Sequence, residues 1–124
     1  KGRPHAMPMS FVVREGQVWV WTNRKSQKVR NLERDPRATL LAYAGEKYDQ
    51  LRGLMIEADA ELVADHGIVS EVGREIVARH DTGGGESVDE GTLAAQASKR
   101  VAIHFLPTRT ISWDFRKAFR SRAL

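Results

Sequence analysis

The segment LRGLMIEADAELV, Leu51 to Val63, constrains the fold most. From Leu54 onward Leu54, Ile56, Ala58, Ala60 and Leu62 alternate with Glu57, Asp59 and Glu61. Period two sends these sets to opposite faces, so the segment reads as a long strand with one buried and one wet face. Parallel sheets are covered on both faces, and a wet face therefore points to an antiparallel sheet.

A chain of 124 residues holds one core, and one domain over 1–124 is expected. Its hydrophobic share of 41% with 29% charged residues is that of a globular protein rather than a disordered one. Cysteine is absent, which removes disulfides, thiolate metal sites and a cysteine nucleophile from consideration. No apolar run approaches the roughly 20 residues of a membrane helix. The start, KGRPHAMPM, has neither an initiator Met nor the apolar core of a signal peptide. A missing N-terminal portion and a cytoplasmic location are expected. The net charge of +4 favours an anionic partner without naming it.

Pro4 to Val13 reads as extended, with two prolines that suit an edge or a bulge. Arg14–Gly16 reads as a hairpin turn into a strand over Gln17–Asn23, where Trp19 and Trp21 face away from Val18, Val20 and Thr22. Ser26 is an N-cap candidate for a short helix that Pro36 ends, with Val29 and Leu32 turned inward. A strand over Ala38–Ala44 and a loop over Gly45–Asp49 follow. After Val63, Asp65 caps a helix carrying Ile68, Val69, Val72 and Ile76 at helical spacing. HDTGGGESVDEG is an acidic loop, and its three glycines follow a helix, a poor setting for a phosphate cradle. Val101, Ile103 and Phe105 open a last strand that Pro107 interrupts and Thr110–Trp113 resumes, before a short basic helix in DFRKAFRSRAL. About six extended segments against two or three short helices predict an antiparallel meander closing into a small barrel.

The strand VWVWTN runs directly into RKSQK. Thr22, Asn23 and Ser26 offer neutral hydrogen bonds, Lys25 and Lys28 offer charge, and a helix start adds free N–H groups. A phosphate suits that set; nucleic acid or a plain solvated helix face fits the same composition. Trp19 reads as core or dimer interface, while Trp21 is placed to wall a planar ligand. Trp113 is either a site residue or the packing anchor of the last helix. His5, His66, His80 and His104 have no metal-ligand spacing, and no helix-turn-helix, zinc or RNP signature supports nucleic-acid binding.

The succession GRPHAMPMSFVVREGQVWVWTNRKSQKVRNLERDPRATLLAY, then LRGLMIEADAELV, then ISWDFRK, resembles the pyridoxamine 5′-phosphate oxidase-like split β-barrel proteins. Within them it looks most like the actinobacterial deazaflavin (coenzyme F420)-dependent oxidoreductases. The resemblance implies a mainly β fold, a six-stranded antiparallel split β-barrel, and a homodimer with cofactor at the interface. It implies that Trp21 and Thr22 line the cofactor, with Asn23 beside them, and that Ser26 and Lys28, joined by Lys25, hold its phosphate. It also implies that the Pro8, Met9 and Ser10 backbone frames the ring, that Arg52 steadies its edge or tail, and that Trp113, from the partner chain, shapes an acceptor pocket. Met7 and Val12 stand where the flavin oxidases carry cations, and Gly53 where they carry Gln. These departures favour F420 over FMN and argue against vitamin B6 synthesis. The phosphodiester and glutamate tail of F420 would suit Arg24, Lys25 and Arg30. The implied activity is hydride transfer to an unsaturated organic acceptor, with no side chain singled out as proton donor. An FMN-binding oxidase-like relative and a non-catalytic flavin or haem carrier are the alternatives.

Overall fold

The alternation in Leu51–Val63 is realised as a long strand paired on both sides. The computed structural model describes residues 9–45, 47, 50–80 and 89–114. Its elements are β1 (Val12–Arg14), β2 (Gln17–Asn23), α1 (Gln27–Arg34), β3 (Arg37–Ala44), β4 (Arg52–Val63), α2 (His66–His80), α3 (Glu90–Ala97) and β5 (Arg100–Asp114). The five strands form one antiparallel sheet in the order β1-β2-β5-β4-β3. Among the described residues the sheet is open, with β1 and β3 at its edges. A mainly β protein with short helices is therefore present, whereas a sixth strand and barrel closure are not seen there. Pro4–Pro8, residues 81–88 of the acidic loop and residues 115–124 of the expected basic helix lie outside the described residues.

The β1–β2 hairpin turns on Glu15 (φ 52°) and Gly16 (φ 79°), both left-handed. Two such residues make the tight turn whose twist matches that of the strands it joins. A Cβ at Gly16 would meet nothing within 4 Å, so backbone conformation alone selects glycine.

Two cores follow from the pleat. Val20, Ala58, Ile103 and Phe105 are buried on one face, joined by Ile56, Ala60 and Leu62 of β4 and by Leu32 of α1. Trp21 and Ala102 are buried on the other face beneath Val69, Val72 and Ile76 of α2 and Leu93 and Ala97 of α3. Asp65 caps α2 by accepting the Ile68 N–H at 3.1 Å, as its sequence predicts. Helix α3 falls in a stretch to which the sequence reading gives no helix; Asp89 caps it, accepting the Thr92 N–H at 3.3 Å.

Pro107 does not break β5, which runs unbroken to Asp114. β2 pairs with β5 only as far as Val18↔Phe105, so Pro107 lies where β5 has lost one neighbour and tolerates a missing N–H. Thr108 is the extra residue of a bulge, since Ala58 pairs with Pro107 and Glu57 with Arg109. Its hydroxyl donates to the Glu57 carbonyl at 3.1 Å and serves a group the dislocated ladder leaves open.

Helices α2 and α3 pack on β1, β2 and β5. Beyond them the same face carries two rows across β3, β4 and β5: Leu41, Met55 and Ile111, then Tyr43, Gly53 and Trp113. Leu41 is 62% and Tyr43 73% exposed. The Trp113 indole lies over Gly53, where an added Cβ would sit 2.2 Å from it. No helix among the described residues is long and apolar enough to cross a membrane.

Candidate functional site

The corner between β2 and α1 gathers Thr22, Asn23, Lys25, Ser26 and Lys28 of the predicted ligand residues. β2 ends at Thr22, 9% exposed, and at the exposed Asn23. The Asn23 side-chain oxygen accepts the Lys25 N–H at 2.9 Å, and its carbonyl accepts the Ser26 N–H at 3.0 Å. These two bonds fold the chain back so that Ser26 opens α1. The Ser26 hydroxyl accepts the Val29 N–H at 3.3 Å, and its backbone is extended at φ −69°, ψ 155°, as an N-cap requires. The N–H groups of Gln27 and Lys28 are left at the helix start, with the positive end of its dipole.

Lys28 is half-buried beside this corner, and burial pushes its ammonium pKa below the ordinary lysine value. Every ion pair among the described residues uses Arg14, Arg37, Arg74 or His104. Lys25, Lys28 and Arg24 therefore have no carboxylate within salt-bridge distance there. A cation that loses water without gaining a counter-ion favours an incoming anion.

Trp21 is enclosed by its surroundings. Only 8% exposed, its ring lies against the α2 backbone at Gly73 and under the Arg100 guanidinium, 4.5 Å from the ring centroid. The ring is core, on the opposite face of β2 from Thr22, and only the backbone of Trp21 is left for the α1 side. Trp19 packs against the same core and stacks on His104 with centroids 4.3 Å apart. The His104 Nε2 faces the Gln17 side-chain oxygen, and its Nδ1 lies 3.3 Å from the Glu61 carboxylate. Arg14 covers Trp19 and pairs with Glu71 at 3.0 Å, bordering a small cavity of about 210 Å³.

Met9 packs on the second core and Ser10 is exposed, while Pro8 lies outside the described residues. Arg52 and Trp113 sit far from the corner. Thr22 pairs with Val101 and Gly53 with Trp113, twelve residues further along β5. At about 3.3 Å per residue that is up to about 40 Å of strand. The twelve intervening positions of β5, with their bulge, set the two groups apart along the sheet. A second cavity, of about 350 Å³, is lined by Asn23, Arg24, Lys25, Ser98 and Lys99. The contribution of Ser98 and Lys99 escapes sequence reading because only the fold places them beside β2.

The family model for pyridoxamine 5′-phosphate oxidase matches residues 1–114. The chain belongs to the pyridoxamine 5′-phosphate oxidase family. Among curated proteins none matches it significantly. Among solved structures, this family member is similar to the conserved hypothetical protein Rv2991 from Mycobacterium tuberculosis, at 37% identity and TM-score 0.85, covering 95% of this chain and 73% of that one. It shares its fold with an F420 reductase (20% identity, TM-score 0.61, covering 82% and 73%). It also shares it with the haem storage protein HutZ from Vibrio cholerae (18% identity, TM-score 0.65, covering 91% and 78%).

Proposed function

We propose that this family member is a homodimeric oxidoreductase that binds reduced F420 and reduces an unsaturated organic acceptor. The observation that carries the reading is the β2–α1 corner, where half-buried Lys28 stands at a Ser26-capped helix start with no carboxylate partner among the described residues. A phosphate ester supplies the missing negative charge and several acceptor oxygens for the Lys25 and Lys28 ammonium groups and the free helix N–H groups. The donor set thus fits the phosphate-bearing part of a flavin or deazaflavin. When bound, F420 supplies the hydride.

The chain's own residues bind and orient. Ser26 holds the helix start in place, Thr22 presents a hydroxyl on the α1 side of β2, and the half-buried setting of Lys28 strengthens its pull on an anion. Arg52 and Trp113 act on the ring and acceptor from the partner chain, since their own chain holds them far from its corner. The uncovered rows around Leu41 and Tyr43 form the surface that brings two copies together. Similarity to a fold that also serves an F420 reductase supports this cofactor class. The FMN alternative rests on the family itself, and a non-catalytic carrier on the shared fold of the haem storage protein.

Separate titrations with F420 and FMN, followed by cofactor fluorescence, test the reading. Tight FMN binding with no F420 response would overturn the cofactor choice; binding without turnover across an enone and quinone screen would indicate a carrier. Lys28→Ala is expected to weaken cofactor binding by about 1.5–3 kcal/mol, the scale of a hydrogen bond to a charged group. Unchanged affinity would refute the phosphate assignment.

A further inference from the structure

The cavity on the other side of β2 adjoins the corner just described, shares Asn23 and Lys25 with it, and adds Arg24, Ser98 and Lys99. Asn23 follows Trp21 on the strand face turned toward α2 and α3, whereas Thr22 faces α1. The walls of this cavity are Asn23, Arg24, Lys25, Ser98 and Lys99: three cations, two neutral polar residues and no carboxylate. Its volume of about 350 Å³ lies at the small end of ligand pockets, which run from about 300 to 1,000 Å³.

The charges are held there by the backbone. The Arg24 N–H donates to the Lys99 carbonyl at 3.0 Å, which ties the exit of β2 to the turn before β5. The Arg24 guanidinium donates to the Ser98 carbonyl at the end of α3, so its charge is held at the cavity wall, with no other partner for its fork among the described residues. Asn23 accepts the Lys25 N–H through its oxygen, and its amide NH₂ has no acceptor among the described residues. Like charges gathered without a counter-ion repel one another, and an oxyanion reverses that repulsion.

We propose that Arg24, Lys25 and Lys99, with Asn23, form a second anion site for a multiply charged oxyanion of the phosphate or carboxylate class. Two sources share this chemistry: a free small anion, or an anionic arm of the ligand held at Ser26 and Lys28. The second source rests on the function proposed above; the first does not.

Calorimetric titration of the full chain with inorganic pyrophosphate at low salt tests the site without any deazaflavin present. Wild type is expected to bind, and Lys99→Gln to bind about five- to tenfold more weakly. Arg34→Gln removes the same charge from the outer face of α1, away from the cavity, and is expected to change binding less than about twofold. Equal weakening by both variants would reduce the effect to net charge and overturn the site, as would an absence of pyrophosphate binding or no loss in Lys99→Gln. If Lys99→Gln fails to fold by circular dichroism, Lys99→Arg takes its place and is expected to retain binding; its loss would count against the site. A second titration separates the sources. Weaker binding of F420 by Lys99→Gln, with unchanged binding of the deazaflavin chromophore lacking phosphate and tail, identifies the ligand's arm. Unchanged binding of both, with weakened pyrophosphate binding, identifies a free anion.

Discussion

Gly73→Ala is a substitution for which helix propensity and packing give opposite signs. In the interior of α2 alanine should stabilise by about 1 kcal/mol, because glycine is the poorer helix former. The new Cβ would lie 2.2, 2.5 and 2.6 Å from three atoms of the Trp21 six-membered ring. That ring is packed in the core, with the Arg100 guanidinium over one of its faces. Overpacking costs about 1–3 kcal/mol, and a contact this short, made by ring rather than flexible chain, lies at the upper end. The net expectation is a loss of about 2 kcal/mol, or a Tm lower by about 8 °C for a domain of this size. Urea and thermal melts of Gly73→Ala, Trp21→Phe and the double variant would measure it. Phenylalanine lacks the atoms that clash, so the double variant should be more stable than the summed single losses by about 1 kcal/mol or more. A Gly73→Ala protein as stable as wild type or more so would refute the packing argument. The Trp21 ring would then be free to face a ligand.

Leu41→Glu places a charge in the uncovered apolar rows and should convert a dimer to monomer by light scattering, with loss of cofactor affinity; an unchanged dimer of unchanged affinity would sink that interface. Ser26→Ala removes the cap of α1 and should cost about 1 kcal/mol of stability in melts, besides weakening cofactor binding. Hydrogen bonds from Arg37 hold the Asp35 carboxyl pKa near 2, below the ordinary value of 3.8. A depressed acid contributes stability above its unfolded value, so this contribution should be whole above about pH 4 and fade as pH falls toward 2. Asp35→Asn should flatten the acid limb, and an unaltered limb would show that the pair contributes nothing measurable. Thr108→Val should lose about 0.5–1.5 kcal/mol with the bond to Glu57.

Local signals in the sequence carried far. The alternation of β4, the Gln17–Asn23 strand, and the caps at Ser26 and Asp65 all stand where period and side-chain chemistry put them. Helix α3 was harder, since Asp89 and the alanines after it adjoin a glycine-rich acidic run that hides a cap among loop residues. Pro107 misled because strand continuity there depends on where β2 stops, which is a property of the sheet. For Trp21 the face was predictable but not what covers it: Gly73, 52 positions later, lets α2 come close enough to take the ring. Lys25 was legible as a candidate ligand residue, but its neighbours Ser98 and Lys99 join it only through the pairing of β2 with β5.

The dislocation at Pro107 and Thr108 also has a bearing on assembly. Past Phe105, β5 has β4 on one side and no strand on the other among the described residues. Such an edge invites a foreign strand, yet it begins with a residue that cannot donate and continues through a bulge. Docking along this border is disfavoured at its first steps. The adjoining apolar face, with Leu41 and Tyr43 outermost, carries no such obstruction. In the dimer proposed above, two copies meeting at this end would stack sheet against sheet, a closed pair instead of a growing ribbon.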